Sequence, residues 1–133
     1  MTRFQTSVSV ALVLLSLLAR PVSAHHSVQG LFDLTKPIAV TGVITKVEWL
    51  NPHSYISLDV KSDKGTVQHW VFELAGPGKL QRVGLTAADR GLSVGEVVTV
   101  EAIAARDGSP SGYVRKLRLA DGRVVDPANA TGR

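Results

Sequence analysis

Cysteine is missing from this chain altogether, methionine occurs once, and only seven of its 133 residues are Phe, Trp or Tyr. With no thiol there is no disulfide, no thiolate ligand or nucleophile, and no lipid-modified cysteine. The lone methionine is residue 1, so beyond it the soft sulfur ligands that favour Cu(I) are absent. Blocks of like charge are also lacking: 15 Lys and Arg are interspersed with 11 Asp and Glu, which removes the basic footprint of a nucleic-acid binder. No phosphate-cradling glycine loop, serine elbow or nucleophile-base-acid constellation can be read. A non-catalytic binding protein is therefore expected, with nucleic acid excluded as a partner.

Long apolar runs are scarce as well. The longest, Val8 to Ala19, covers 12 residues, well short of the roughly 20 that a bilayer-spanning helix needs. With Arg3 before it and Val22-Ser23-Ala24 after it, the run has the layout of a cleavable secretory signal peptide over residues 1–24. The expected location is the periplasm or the exterior, with no stable membrane insertion after cleavage. Removing 24 of 133 residues leaves 109, and losing Arg3 and Arg20 lowers the net charge from +4 to +2. That length makes one domain able to bury a workable core.

Strand signals dominate from residue 37. Ile38, Val40, Val43, Ile44 and Val47 form one long segment that Gly42 is expected to bend. Tyr55 to Val60 alternates, with Ile56 and Leu58 on one side and Tyr55, Ser57 and Asp59 on the other. Ser62-Asp63-Lys64-Gly65 reads as a four-residue hairpin loop into Val67–Leu74. That loop length sets Lys61 opposite Thr66, Tyr55 opposite Phe72, Ser57 opposite Trp70 and His69 opposite Leu58. His53 and His69 then lie five ladder positions apart on opposite faces. Pro77 opens a short helix that Gly84 closes, and Thr86 caps a second turn through Arg90. Val97–Ala104 and Tyr113–Leu119 are the last main strands, and Asp121-Gly122 turns into Val124-Val125. In the last main strand, Val114, Lys116 and Arg118 oppose Tyr113, Arg115, Leu117 and Leu119.

The expected fold is mainly β: a small five-stranded OB-like Greek-key barrel with a short helical segment between strands three and four. An open β-sandwich is the competing arrangement. The expected organisation is a signal peptide over 1–24, an N-terminal arm over 25–36, the barrel domain over 37–126 and a disordered tail over 127–133.

Several motifs recur together: His25-His26-Ser27, Phe32-Asp33, Lys36-Pro37, Glu48-Trp49-x-Asn51-Pro52-His53, Phe72-Glu73-Leu74, Ala105-x-Asp107-Gly108-Ser109 and Leu119-Ala120-Asp121-Gly122-Arg123. Over nearly all of the mature chain the sequence resembles a family of small exported bacterial proteins known only as a domain of unknown function. The resemblance implies export and an OB-like architecture, and carries no activity with it. One departure is Leu85, where the family pattern more usually has Trp after the glycine.

The chemistry then rests on His25, His26, His53 and His69. Cleavage after Ala24 would give His25 a free α-amine beside its own imidazole, and the amine's reference pKa of about 7.7–8.0 lets a metal displace its proton near neutrality. His26 could contribute through the intervening amide. Nitrogen-only ligation suits Cu(II), Ni(II) or Zn, with Cu(II) the first choice and His53, beyond the Asn51-Pro52 break, the expected partner. A plainer alternative leaves the terminal histidines solvated and His53 bonded to its own turn. In a different class stands an OB-type interaction module using Trp49, Asn51 and Tyr55 as a binding surface for an envelope protein, peptide, saccharide or other small ligand. Trp49, Tyr55, Trp70 and Phe72 also suit ordinary cross-strand packing. Glu48, Asp33, Glu73 and Asp107 are carboxylates that no spacing forces together. Asp121-Gly122-Arg123 reads as a turn, and Arg123 could lie near Glu101 or Asp107 as a surface ion pair.

Overall fold

The computed structural model describes residues 28–88 and 92–129. The expected signal peptide, His25, His26, the end of the turn expected after Thr86, and the last four residues lie outside them. The elements in order are helix α1 (Val28–Leu31), strands β1 (Phe32–Glu48), β2 (His53–Lys61) and β3 (Val67–Ala75), helix α2 (Pro77–Arg82), and strands β4 (Val97–Ala105), β5 (Ser111–Arg118) and β6 (Val124–Val125). The protein is mainly β. The six strands among the described residues form one sheet in the order β3-β2-β1-β4-β5-β6, and a short parallel pairing also joins β3 to β5. The extra strand beyond the five expected is the two-residue β6, which pairs with the end of β5.

β1 is long because it serves two neighbours. Pro37 to Val43 pairs with β4, and Val43 to Glu48 pairs with β2. At the handover the backbones come so close that a Cβ on Gly42 would lie 2.7 Å from the Asp59 carbonyl oxygen, so only glycine fits. Just beyond, Ile44 faces Leu58 while Lys46 faces Ser57, which makes Thr45 a bulge. The extra residue lets Ile44 and Val47, three apart, both turn toward the core. β1 also begins at Phe32, five residues before the strand signal becomes readable. There Phe32, Ile103 and Ala105 form a small outer cluster against which Val28 and Tyr113 pack. Arg106 ties α1 down, its side chain donating to the Gln29 carbonyl at 2.9 Å and its backbone N–H to the Leu31 carbonyl at 3.0 Å.

The β2–β3 register differs from the expected one by a residue. Ser62 and Thr66 bond to each other, so the loop is the three residues 63–65, closed by the Gly65 N–H donating to the Ser62 carbonyl with Gly65 at φ 83°. Tyr55 therefore faces Glu73, Ser57 faces Val71, Leu58 faces Trp70, and Asp59 faces His69. A one-residue slip exchanges the two faces of a strand. His69 accordingly points outward beside Asp59 and is exposed, rather than packing with Leu58. A second bulge, at Arg115, overturns the simple alternation expected for β5: Glu101 faces Lys116 while Ala102 faces Val114, and Val114 and Leu117 are both buried.

The core lies within the sheet's inner face, where Ile44, Ile56, Leu58, Phe72, Val100 and Leu117 are almost fully buried. α2 follows the expected signals, with Pro77 in its first turn and Gly84, at φ 80°, donating to the Gln81 carbonyl as the chain leaves. Leu80 and the departing Leu85 plug the core from that side. The tail expected to be disordered has an ordered start, because Pro127–Asn129 forms a 3-10 turn with Pro127 buried.

Candidate functional site

The site forms where the β1–β2 turn meets the end of β3. The Asn51-Pro52 peptide is cis, and the turn rests on Gly76, where a Cβ would lie 2.6 Å from the Pro52 carbonyl oxygen. Any larger residue at 76 would push the turn off its seat. His53, the first residue of β2, faces Ala75, and its Nδ1 lies 2.6 Å from Glu73 Oε1. Glu73 is the centre of three strands: it faces Tyr55 across β2–β3 and Tyr113 across β3–β5. Its side chain is only 11% exposed, against 35% for His53. With Nδ1 engaged by a shielded carboxylate, Nε2 is the imidazole atom left to face a ligand.

The two tyrosines record the surroundings of that carboxylate. Burial, then the charges of Glu73 and Glu48, push the Tyr55 hydroxyl above its usual pKa. Burial first and Glu73 second raise Tyr113, with Arg115 acting in the opposite direction. They are the chain's only tyrosines, so absorbance near 295 nm reports them alone. A folded-state pKa raised above the unfolded one stabilises the protein below the unfolded value, about 10. That contribution is expected to fade as pH rises through the folded values, with phenolate appearing later in native protein than in denaturant. Coincident titration curves would show that the ring surroundings are open to water.

Two clefts adjoin at this rim. The larger, of about 410 Å3, is lined by Asn51, His53, Gly76, Lys79, Arg82 and Tyr113 among others. The smaller, of about 280 Å3, lies between Trp49, Pro77, Gln81 and Leu85. Gly78 lines both. Of the residues expected to form one binding surface, Asn51 is thus in the cleft with His53, Trp49 is in its neighbour, and Tyr55 is on the outer strand face beside Glu73. His69 is no part of the site. It shares the outward face with His53, contrary to the expected opposite faces, but the register places them six ladder positions apart, roughly 20 Å at about 3.3 Å per residue.

Four other carboxylates are locally satisfied. The Thr35 hydroxyl, the Ser109 hydroxyl and the Arg123 backbone N–H hold the carboxyls of Asp33, Asp107 and Asp121, respectively, below the usual range. Arg123 pairs with Asp121 at 2.7 Å within its own turn. Glu48 pairs with Lys46. Among the described residues no three His, Asp or Glu side chains gather as a metal group.

A model for a family of unknown function, DUF6152, matches residues 12–115. The chain belongs to DUF6152. No curated protein matches it. The DUF6152 match contains the whole rim, from Trp49 through Glu73 to Tyr113, and also the two histidines at 25 and 26. No described helix of this DUF6152 member is long and apolar enough to cross a membrane. Leu85, at the position where Trp was the expected family residue, is fully buried here.

Proposed function

We propose that this DUF6152 protein is exported, processed after Ala24, and binds Cu(II) at the rim through His53 Nε2 and the amine and imidazole of His25, with His26 adjoining. The observation that carries the reading is the His53–Glu73 pair, which occupies Nδ1 and leaves a single nitrogen donor at the cleft. The path of the chain supports it. Val28 packs on the Phe32 cluster together with Tyr113, and Tyr113 also lines the cleft that holds His53. Val28 follows His25 by three positions, a reach of at most about 10 Å. At the rim the described residues supply one imidazole, that of His53, and the other ligands would come from His25 and His26. Cu(II) bound to such nitrogens supplies a carrier, buffering or sensing role, and no catalytic step is assigned. The pairings β1–β2–β3–β5–β4–β1 return to their start, which supports reading the sheet as an OB-like barrel with the site at one mouth.

Purified mature protein is expected to take up one Cu(II), followed by calorimetry and the Cu(II) electron paramagnetic resonance spectrum. A variant with one residue added before His25 should lose that uptake, because its amine no longer shares a chelate ring with the imidazole. Equal uptake by both proteins, or a native N-terminus other than His25, overturns the proposal. The alternative, a metal-free interaction module presenting Trp49 and Tyr55 together, has less support because those rings lie on different surfaces.

A further inference from the structure

We infer that the two adjoining clefts form one groove that takes a small amphiphilic anion, with an apolar body against Trp49 and Pro77 and a carboxylate between Lys79 and Arg82. The inference is independent of copper binding. Its first support is charge. Lys79 and Arg82 line the larger cleft and have no carboxylate partner among the described residues. Neither lining contains an acidic side chain, and the nearby Glu73 is already engaged by His53. Two unpaired cations one helical turn apart leave an anion site open, and an arginine fork suits a carboxylate.

The second support is shape and polarity. The smaller cleft exposes Trp49 and Pro77 and carries no charged residue, so it offers an apolar compartment beside the cationic one. The volumes, about 280 and 410 Å3, suit a small molecule. The third support is Gly78, which lines both compartments and whose Cβ would meet no atom within 4 Å. A glycine there keeps the saddle between the compartments low. A side chain at that position would enter the groove without striking the protein.

The test uses metal-free mature protein and two probes, 4-phenylbutyrate and its neutral amide, titrated by calorimetry. The acid is expected to bind at least ten-fold tighter than the amide, in the sense and size of a charge-assisted bond replacing a neutral one. Arg82→Gln combined with Lys79→Gln should bring the acid down to the amide's level. Gly78→Phe should abolish binding of both while the thermal unfolding midpoint stays unchanged. Equal affinity for acid and amide, no saturable binding of either, or undiminished binding by the Gly78→Phe variant each overturns the inference. Because copper is absent throughout, none of these outcomes bears on the metal proposal.

Discussion

Phe72→Ala is expected to destabilise the domain by about 3–5 kcal/mol, the range for deleting a buried aromatic ring and leaving a cavity. Phe72 is fully buried and lies at the crossing of three strands, facing Ile56 on β2 and Gly112 on β5. Trp70 stacks on its ring with centroids 5.5 Å apart. Gly112 opposite cannot fill the gap, and a Cβ there would already be 2.8 Å from the Ile103 carbonyl oxygen. Small domains hold only about 5–15 kcal/mol in total, and this chain has no cysteine with which to cross-link its unfolded state. The loss should appear in urea unfolding followed by circular dichroism as a lower midpoint. Phe72→Leu, which keeps most of the volume, should cost clearly less. A loss below 1 kcal/mol for the alanine variant would mean that the core is organised elsewhere.

Under the proposed function, Glu73→Gln is expected to weaken Cu(II) binding by about 10–100-fold, the usual effect of removing the carboxylate that orients a ligating imidazole. Glutamine retains the shape and a hydrogen-bonding group, so the fold should persist. It lacks the charge that draws the proton to Nδ1 and makes Nε2 the better donor. His53→Ala should lower affinity at least as much, and adding Glu73→Gln to His53→Ala should change little more, because the carboxylate acts only through the ring. Additive losses in that cycle would give Glu73 a separate role. If neither single change alters affinity, the copper site does not include His53. The unfolding midpoint of each variant separates lost binding from lost folding.

The Asn51-Pro52-His53 break, the helix opened by Pro77, and the glycine turns at 65, 84 and 122 were legible because proline and glycine act on their own backbone and its nearest neighbours. The bend of β1 was legible in part. Gly42 marked it, but the bulge at Thr45 that lets Ile44 and Val47 share a side was not. Glu73 was visible as a carboxylate without a partner. Its diagonal relation to His53 follows only when the hairpin loop is three residues rather than four, a difference that moved Tyr55, Ser57 and His69 to new neighbours. Lys79 and Arg82 were not singled out at all, since their interest comes from having no acid opposite them.

By itself the sequence determined that this is a mainly β protein of the unknown-function family DUF6152, with its strands, main turns and single short excursion helix in place. Those features rest on period-two alternation and on backbone preferences, which act over a few residues. Tertiary structure alone decided the β2–β3 register, the two bulges, the docking of α1 beside Tyr113, and the joining of His53, Glu73 and the cationic groove at one rim. A strand's sides exchange with a shift of one residue, and only the packing of both partners against a shared core selects which shift is taken.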